Sequence, residues 1–245
     1  IQFDRVTLEY EGRAVLREVS FAVEPGQTVA IVGPTGSGKT SIVSLLTREH
    51  DPTRGVVRVD GRDIRTLPRD VLRSGIAFVP QDTFLFSDTI RANLTFGRPD
   101  ADQTAIDHAA AIAQLADTID EFPDRYETLL GERGVNLSGG QKQRLAIARA
   151  VVMDAPILIL DDALSSVDTH TEEKILQRLA GVMSGRTSLI ISHRVSTVRD
   201  ADLILVLRDG RIAESGTHDQ LLALEGQYAE MYERQLLEDE LETTA

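Results

Sequence analysis

Gly33-Pro34-Thr35-Gly36-Ser37-Gly38-Lys39-Thr40 follows the apolar run Thr28–Val32 and leads into a helical pattern from Ser41 to Leu46. A strand, a glycine-rich turn and a helix in that order decide the fold, because together they build a phosphate-binding loop. Glycines let the backbone curl until successive N–H groups converge on one anion, and the helix N-terminus behind them adds partial positive charge. At this spacing Lys39 reaches the β- and γ-phosphates of a triphosphate and Thr40 offers its hydroxyl to Mg²⁺. Gly33 through Ser41 are therefore the expected phosphate ligands. A flexible Gly/Ser turn, the plain alternative, has no need of the flanking strand and helix.

Outward from the loop, Val6, Leu8 and Tyr10 alternate with polar residues, as do Val19, Phe21 and Val23. Both stretches predict half-buried antiparallel strands. Val56–Val59 closes on the Asp60-Gly61 turn, and Ile76–Val79, Ile157–Leu160, Ser188–Ile191 and Leu203–Leu207 read as short strands. From about Asp100 the pattern changes, and Ile106, Ala109, Ala110 and Ala113 recur at helical spacing. The reading is an α/β nucleotide-binding lobe (1–88 and 150–225), an inserted helical lobe (89–149) and an acidic helix or tail (226–245) carrying Tyr228, Met231, Tyr232 and Leu236.

Three further strands end in polar residues: Ile76–Val79 leads to Gln81, Ile157–Leu160 to Asp161-Asp162, and Leu189–Ser192 to His193. Ligands of open parallel sheets sit beyond the carboxyl ends of the strands, so these groups are expected to meet in one crevice with the loop. An apolar strand delivering a carboxylate suits a Mg²⁺ shell, which assigns Asp161. A carboxylate that caps a helix, and a strand-end histidine satisfied locally, are the competing readings. His50, His108, His170 and His218 lie in polar or turn-like stretches, with His218 helping to start a helix.

Composition excludes several classes. A hydrophobic content of 42% and a charged content of 27% over 245 residues fit a globular chain with a substantial core. The absence of cysteine removes disulfides and thiolate metal sites. A net charge of −13 argues against a nucleic-acid partner, which would want a basic stripe. No apolar run is long enough to cross a bilayer. The chain opens at Ile1 already inside a strand-like alternation, so it is expected to be a domain excised from a longer protein, with any membrane portion elsewhere.

Asn136-Leu137-Ser138-Gly139-Gly140-Gln141-Lys142-Gln143-Arg144 resembles the signature of ATP-binding cassette (ABC) proteins. Its five-residue centre arises by chance in roughly a few chains per ten thousand. Ser138, Gly139 and Gly140 at a helix start form a second phosphate nest, and one triphosphate cannot use two nests in one lobe. The family's solution is a head-to-tail dimer in which each signature, here Ser138 to Gln141, closes over the partner's phosphate loop. The resemblance covers nearly the whole chain. It implies an α/β fold with a P-loop NTPase (RecA-like) core, an N-terminal antiparallel β subdomain and an inserted α-helical subdomain. It also implies ATP and Mg²⁺ as ligands and ATP hydrolysis as the activity.

Residue by residue, Tyr10 matches the aromatic that stacks on adenine, with an ordinary strand tyrosine as the alternative. Gln81, within Pro80-Gln81-Asp82-Thr83-Phe84-Leu85-Phe86, resembles the glutamine loop that touches Mg²⁺ or water and moves with the coupling helices of a transmembrane domain. Ile157–Asp161 resembles the Walker B strand, Ser165-Ser166-Val167-Asp168 the dimer-contact loop, and His193 the γ-phosphate switch. Gly131-Glu132-Arg133-Gly134 is similar to a loop typical of exporters. The resemblance thus implies Thr40, Gln81 and Asp161 around Mg²⁺, and Lys39, Gln81, Asp162 and His193 around the reacting phosphate. It places the domain at the cytoplasmic face of the cell membrane.

One position departs from the pattern. Where the family usually carries a glutamate as general base, this chain has Asp162. Aspartate is one methylene shorter, so its carboxylate falls back by about 1.5 Å against a hydrogen-bond window of roughly 2.6–3.2 Å, a misplacement worth about a hundredfold in rate. The expectation is a site that binds ATP and hydrolyses it poorly, beside a signature that completes a competent site on a glutamate-bearing partner. A heterodimer is favoured on this reading and a homodimer stays open. The ending Tyr228–Glu242 also resembles the tail of a multidrug-exporter half, against the alternative of a helix packed on its own domain. A nucleotide-dependent structural clamp and a soluble ABC ATPase are the competing functions.

Overall fold

Buried apolar runs set the strands. The computed structural model describes residues 1–134 and 136–244, with the backbone alone described for Arg133, Ser196 and residues 238–244. In chain order the strands are β1 (Gln2–Tyr10), β2 (Arg13–Ala22), β3 (Thr28–Val32), β4 (Arg54–Val59), β5 (Arg62–Asp63), β6 (Ile76–Val79), β7 (Ile157–Asp161), β8 (Thr187–Ile191), β9 (Leu203–Arg208) and β10 (Arg211–Gly216). The helices are α1 (Lys39–Leu46), α2 (Arg69–Ser74), α3 (Ile90–Leu94), α4 (Gln103–Ile112), α5 (Ala116–Asp120), α6 (Gly139–Met153), α7 (Thr169–Met183), α8 (His218–Ala223) and α9 (Gln227–Thr244). The fold is α/β, with one wholly antiparallel sheet and, among the remaining strands, mainly parallel pairing. Two compact units form, residues 1–73 with the chain from Thr187 onward, and residues 74–186.

In the first unit an antiparallel sheet runs β2-β1-β4-β5. Its strands do not alternate strictly. Arg5 has φ 44° and the β1–β2 register shifts between Phe3 and Val6, so an extra residue lets Phe3, Val6 and Leu8 all face the core. Beside it β3 lies between β8 and β9, parallel to both, with β10 antiparallel on β9. β3 is buried on both faces, as its unbroken Val29-Ala30-Ile31-Val32 run requires. The acidic end forms α9, whose first turn is anchored on its own unit. The Glu214 carboxylate accepts from the Gln227 and Tyr228 N–H groups at 2.6 and 3.1 Å, and the buried Tyr228 hydroxyl meets His218 Nδ1 at 2.8 Å. Burial pushes the Tyr228 phenol up to about 12. His218 opens α8 behind a Thr217–Gln220 capping box.

In the second unit β6 and β7 pair in parallel, and helices surround them. Asp102 caps α4 by accepting from the Ala105 N–H, and the buried Ile106–Ala109–Ala110 face of that helix packs on α6. Small alanines allow the close approach. This unit holds the inserted segment 89–149 together with the β6–β7 pair and α7.

Candidate functional site

The phosphate loop leaves β3 through a backbone only glycine tolerates. Gly33 has φ 147°, and a Cβ there would stand 2.1 Å from the Leu207 carbonyl oxygen on β9. Gly38, with φ 107° and ψ 10°, starts α1 without a side-chain cap, and its Cβ would meet a Leu16 methyl at 2.8 Å. The loop closes on itself: the Ser37 N–H donates to Pro34 O at 3.2 Å, and the Gly210 N–H donates to Ser37 O at 3.2 Å. Lys39 is 6% exposed, and its ammonium donates to Gly33 O at 2.8 Å and Pro34 O at 3.1 Å, which folds the side chain back over the loop. The Ser37 hydroxyl is buried with no hydrogen-bond partner among the described residues. An orphan donor, an uncapped helix start and an ammonium stretched across the turn fit a phosphate. Pro34, Thr35, Gly36 and Thr40 are exposed, and Ser41 is half-buried with its N–H on Gly38 O.

Register brings His193 to the same end. Ile31 pairs with Ile191 in the parallel β3–β8 ladder, so Gly33 and His193 each lie two residues past a matched pair on neighbouring strands. His193 is exposed. Tyr10 closes β1, half-buried, with the His50 ring edge-on at 5.0 Å. The sequence offered no reason to join His50 to Tyr10.

In the second unit Val79 pairs with Leu160, so Gln81 and Asp162 leave β6 and β7 at the same level. Asp161 and Asp162 are buried, at 1% and 8% exposure, and Gln81 is exposed. Asp162 has φ 44°, a left-handed conformation that aspartate adopts more readily than most residues. Its carbonyl accepts from the Ser165 N–H at 3.2 Å.

The signature turn starts α6. Ser138 Oγ accepts from the Gln141 N–H at 3.2 Å and Gln141 Oε1 accepts from the Ser138 N–H at 2.8 Å, a reciprocal capping box. The box uses Ser138 Oγ as an acceptor and leaves its O–H to donate outward. Gly140 is needed because a Cβ would stand 2.8 Å from Ser166 O. Ser165–Asp168 ends as the cap of α7, where Asp168 accepts from the Thr171 N–H at 3.0 Å. That hydrogen bond, first among the causes, holds the Asp168 carboxyl below the usual carboxylate range. Glu132–Gly134 of the exporter-like loop forms a 3₁₀ turn, and the Arg133 side chain lies outside the described residues.

Downstream of Gln81 lies an aromatic strip that composition did not reveal. Phe86 stacks on Phe96 at 4.4 Å and meets Phe84 edge-on at 5.2 Å, with Phe84 and Phe96 each more than half exposed. Arg149 on α6 holds the strip from below. Its guanidinium donates to Asn93 O at 2.8 Å, Asn93 Oδ1 at 2.8 Å and Phe84 O at 3.0 Å, and lies over the Phe86 ring at 5.7 Å. Asn93 is fully buried and ties back to Phe86 through both its amide atoms. Burial lowers Arg149 to about 10, which leaves it charged at neutral pH.

Among the described residues no group of three or more His, Asp or Glu side chains is placed to hold a metal alone. The Thr40 hydroxyl in the first unit and the Asp161 carboxylate in the second are each oxygen donors of the kind Mg²⁺ takes with nucleotides. Among the described residues no helix is long and apolar enough to cross a membrane.

Residues 16–165 match the family described as "ABC transporter". The chain is 48% identical over 239 residues to an ATM1-type heavy metal exporter of Novosphingobium aromaticivorans, covering 97% of the chain and 39% of that protein. It is 48% identical to ATP-binding cassette sub-family B member 6 of Xenopus tropicalis, covering 96% of the chain and 28% of that protein. It is also 48% identical to an ATP-dependent lipid A-core flippase of Burkholderia thailandensis, over 98% of the chain and 41% of that protein. A solved bacterial Atm1-family ABC exporter with ATP bound superposes with a TM-score of 0.91 at 48% identity, over 96% of the chain and 41% of that structure. The chain thus spans less than half the length of these relatives.

Proposed function

Because this chain belongs to the ABC transporter family, as an exporter-type ATPase domain, we propose that it drives transport by ATP-dependent dimerisation, with its own site slow to hydrolyse. ATP binds the Gly33–Ser41 loop with its base on Tyr10. Thr40, Gln81 and Asp161 would hold a Mg²⁺ ion, which would supply neutralisation of phosphate charge. His193 contacts the γ-phosphate. Ser138 and Gly140, with Gly139 and Gln141 shaping the turn, seal the partner's nucleotide. The aromatic strip of Phe84, Phe86 and Phe96 downstream of Gln81, with Phe84 and Phe96 exposed, meets the coupling helices of a transmembrane domain. Its exposed aromatics and rigid Arg149–Asn93 support suit a docking face. The domain then works at the cytoplasmic face of a membrane.

The observation that carries the slow-site reading is Asp162. Its carbonyl accepts from the Ser165 N–H and its side chain is buried, at the sequence position where the family usually carries the base. A pinned backbone cannot advance to recover the missing methylene. The phosphoryl transfer is mostly positioning and charge stabilisation, so a retracted base slows turnover and leaves ATP binding intact. A heterodimer follows, in which this signature serves a partner that keeps glutamate. The same residue favours a second reading, a nucleotide-held clamp with no turnover at this site. The test compares ATP affinity and single-turnover hydrolysis of the chain and its Asp162→Glu variant. Equal affinity with about a hundredfold faster hydrolysis in the variant supports the slow site. Equal rates refute it, and a chain with no cleavage at all over hours is the clamp.

A further inference from the structure

Gln143 is buried, at 4% exposure, on the inner face of α6, one turn past the signature serine. Both ends of its amide are committed. Nε2 donates to Ser165 Oγ at 2.9 Å and Oε1 accepts from the Ser166 N–H at 2.8 Å. The partners are consecutive residues of the dimer-contact loop, so one planar fork grips that loop by a side chain and a backbone group. The contact is tight elsewhere too, since Gly140 has room for no side chain against Ser166 O. At the far end the Ser165 N–H donates to Asp162 O. The hydrogen bonds therefore run without a break from Asp162 through Ser165 and Gln143 to the first turn of α6, where the Ser138–Gln141 capping box stands.

We propose that Gln143 is a positioning residue that makes the signature turn and the dimer-contact loop one body. A displacement at Asp162 is then delivered to Ser138 and Gly140. This rests on the reading that the signature closes over a partner's nucleotide. An apolar residue would fill the volume, but it would take the acceptor from the part-buried Ser166 N–H and let the loop and helix slide past each other. Only an amide supplies a donor and an acceptor on one fork of this length without adding charge. The link lies wholly within the second unit and the phosphate loop within the first, so the link sets how the signature is presented and leaves ATP capture alone.

The test uses Gln143→Met, Ser165→Ala and the double variant. Three measurements apply: ATP affinity, Mg-ATP-dependent self-association, and amide exchange of segments 138–142 and 164–168. Expected are ATP affinity within twofold of the parent and self-association weaker by about tenfold in Gln143→Met, roughly the net worth of one of the two part-buried hydrogen bonds it removes. Exchange should speed up in both segments together, with the double variant no worse than Gln143→Met. Faster exchange at 164–168 with 138–142 unchanged overturns the proposal, and so does additive loss in the double variant. Should the parent fail to associate at saturating Mg-ATP both with itself and with an Asp162→Glu copy, the dimer reading fails separately, and paired exchange in the monomer still decides the link.

Discussion

A methyl group at Gly33 is the smallest change that tests the phosphate loop's geometry. Alanine there would put Cβ 2.1 Å from Leu207 O, about 0.9 Å inside the 3.0 Å limit below which such contacts are essentially never seen. Leu207 cannot give way. It is fully buried on β9, paired with Ile212 on one side, while its neighbour Val206 pairs with Val32 on the other. Overpacking of this kind costs about 1–3 kcal/mol, and a side chain forced to positive φ costs a further ~1–3 kcal/mol. Gly33→Ala is therefore expected to lose about 2–6 kcal/mol, a fall in melting temperature of roughly 4–24 °C for a chain of this size. Thermal and urea denaturation of the purified chain measure it, and ATP titration reads the distorted loop as lost affinity. Gly181→Ala is the control. That glycine lies in α7 with open space around it, and the same methyl there should add up to about 1 kcal/mol of helix propensity. A Gly33→Ala chain melting within 2 °C of the parent would refute the close-approach argument.

Other consequences follow from single contacts. Lys39→Ala removes the only ammonium on the loop and should weaken ATP binding at least about a hundredfold by equilibrium titration, with melting of the nucleotide-free chain little changed. Arg149→Met takes the guanidinium donors from Asn93 O and Phe84 O, leaves Asn93 Oδ1 with the Phe86 N–H alone, and should cost about 2–4 kcal/mol in urea unfolding. Asp168→Ala removes the α7 cap and should cost about 1 kcal/mol at neutral pH. Because the folded-state carboxyl of Asp168 is held below its usual 3.8, that contribution is fully present above the ordinary carboxylate range. It is lost as pH falls through the depressed value, so parent and Asp168→Ala melting curves should converge below pH 4.

The parts legible in the sequence are those whose physics is local. Glycines forced by the loop, the apolar β3 and β7 runs and the Ser138–Gln141 cap all leave marks at fixed spacing. Register then explains why His193 and Gln81 surface where strand ends were expected. What was not legible depends on partners distant in the chain. β10 escaped notice because Arg211-Ile212-Ala213-Glu214-Ser215 is an edge strand with a charged outer face and weak alternation. The bulge at Arg5 hid the phase of β1, since Phe3 breaks step with Val6 and Leu8. Asn93 and Arg149 read as ordinary polar residues of helices, and only folding shows that they brace the aromatic strip. Gln143 gave no sign of its role, because a buried amide is recognised by its two partners and by nothing in its neighbours.

The central claim is that one chain's signature serine stands over another chain's phosphate loop. The protein has no cysteine, so engineered thiols report on that directly. Ser138→Cys in this chain is mixed with a copy carrying Thr35→Cys and Asp162→Glu, the latter standing in for a glutamate-bearing partner, and disulfide formation is followed with and without Mg-ATP. The account predicts a covalent dimer of the two chains that forms with Mg-ATP and not without it. Saturated ATP sites with no cross-linked dimer would contradict it.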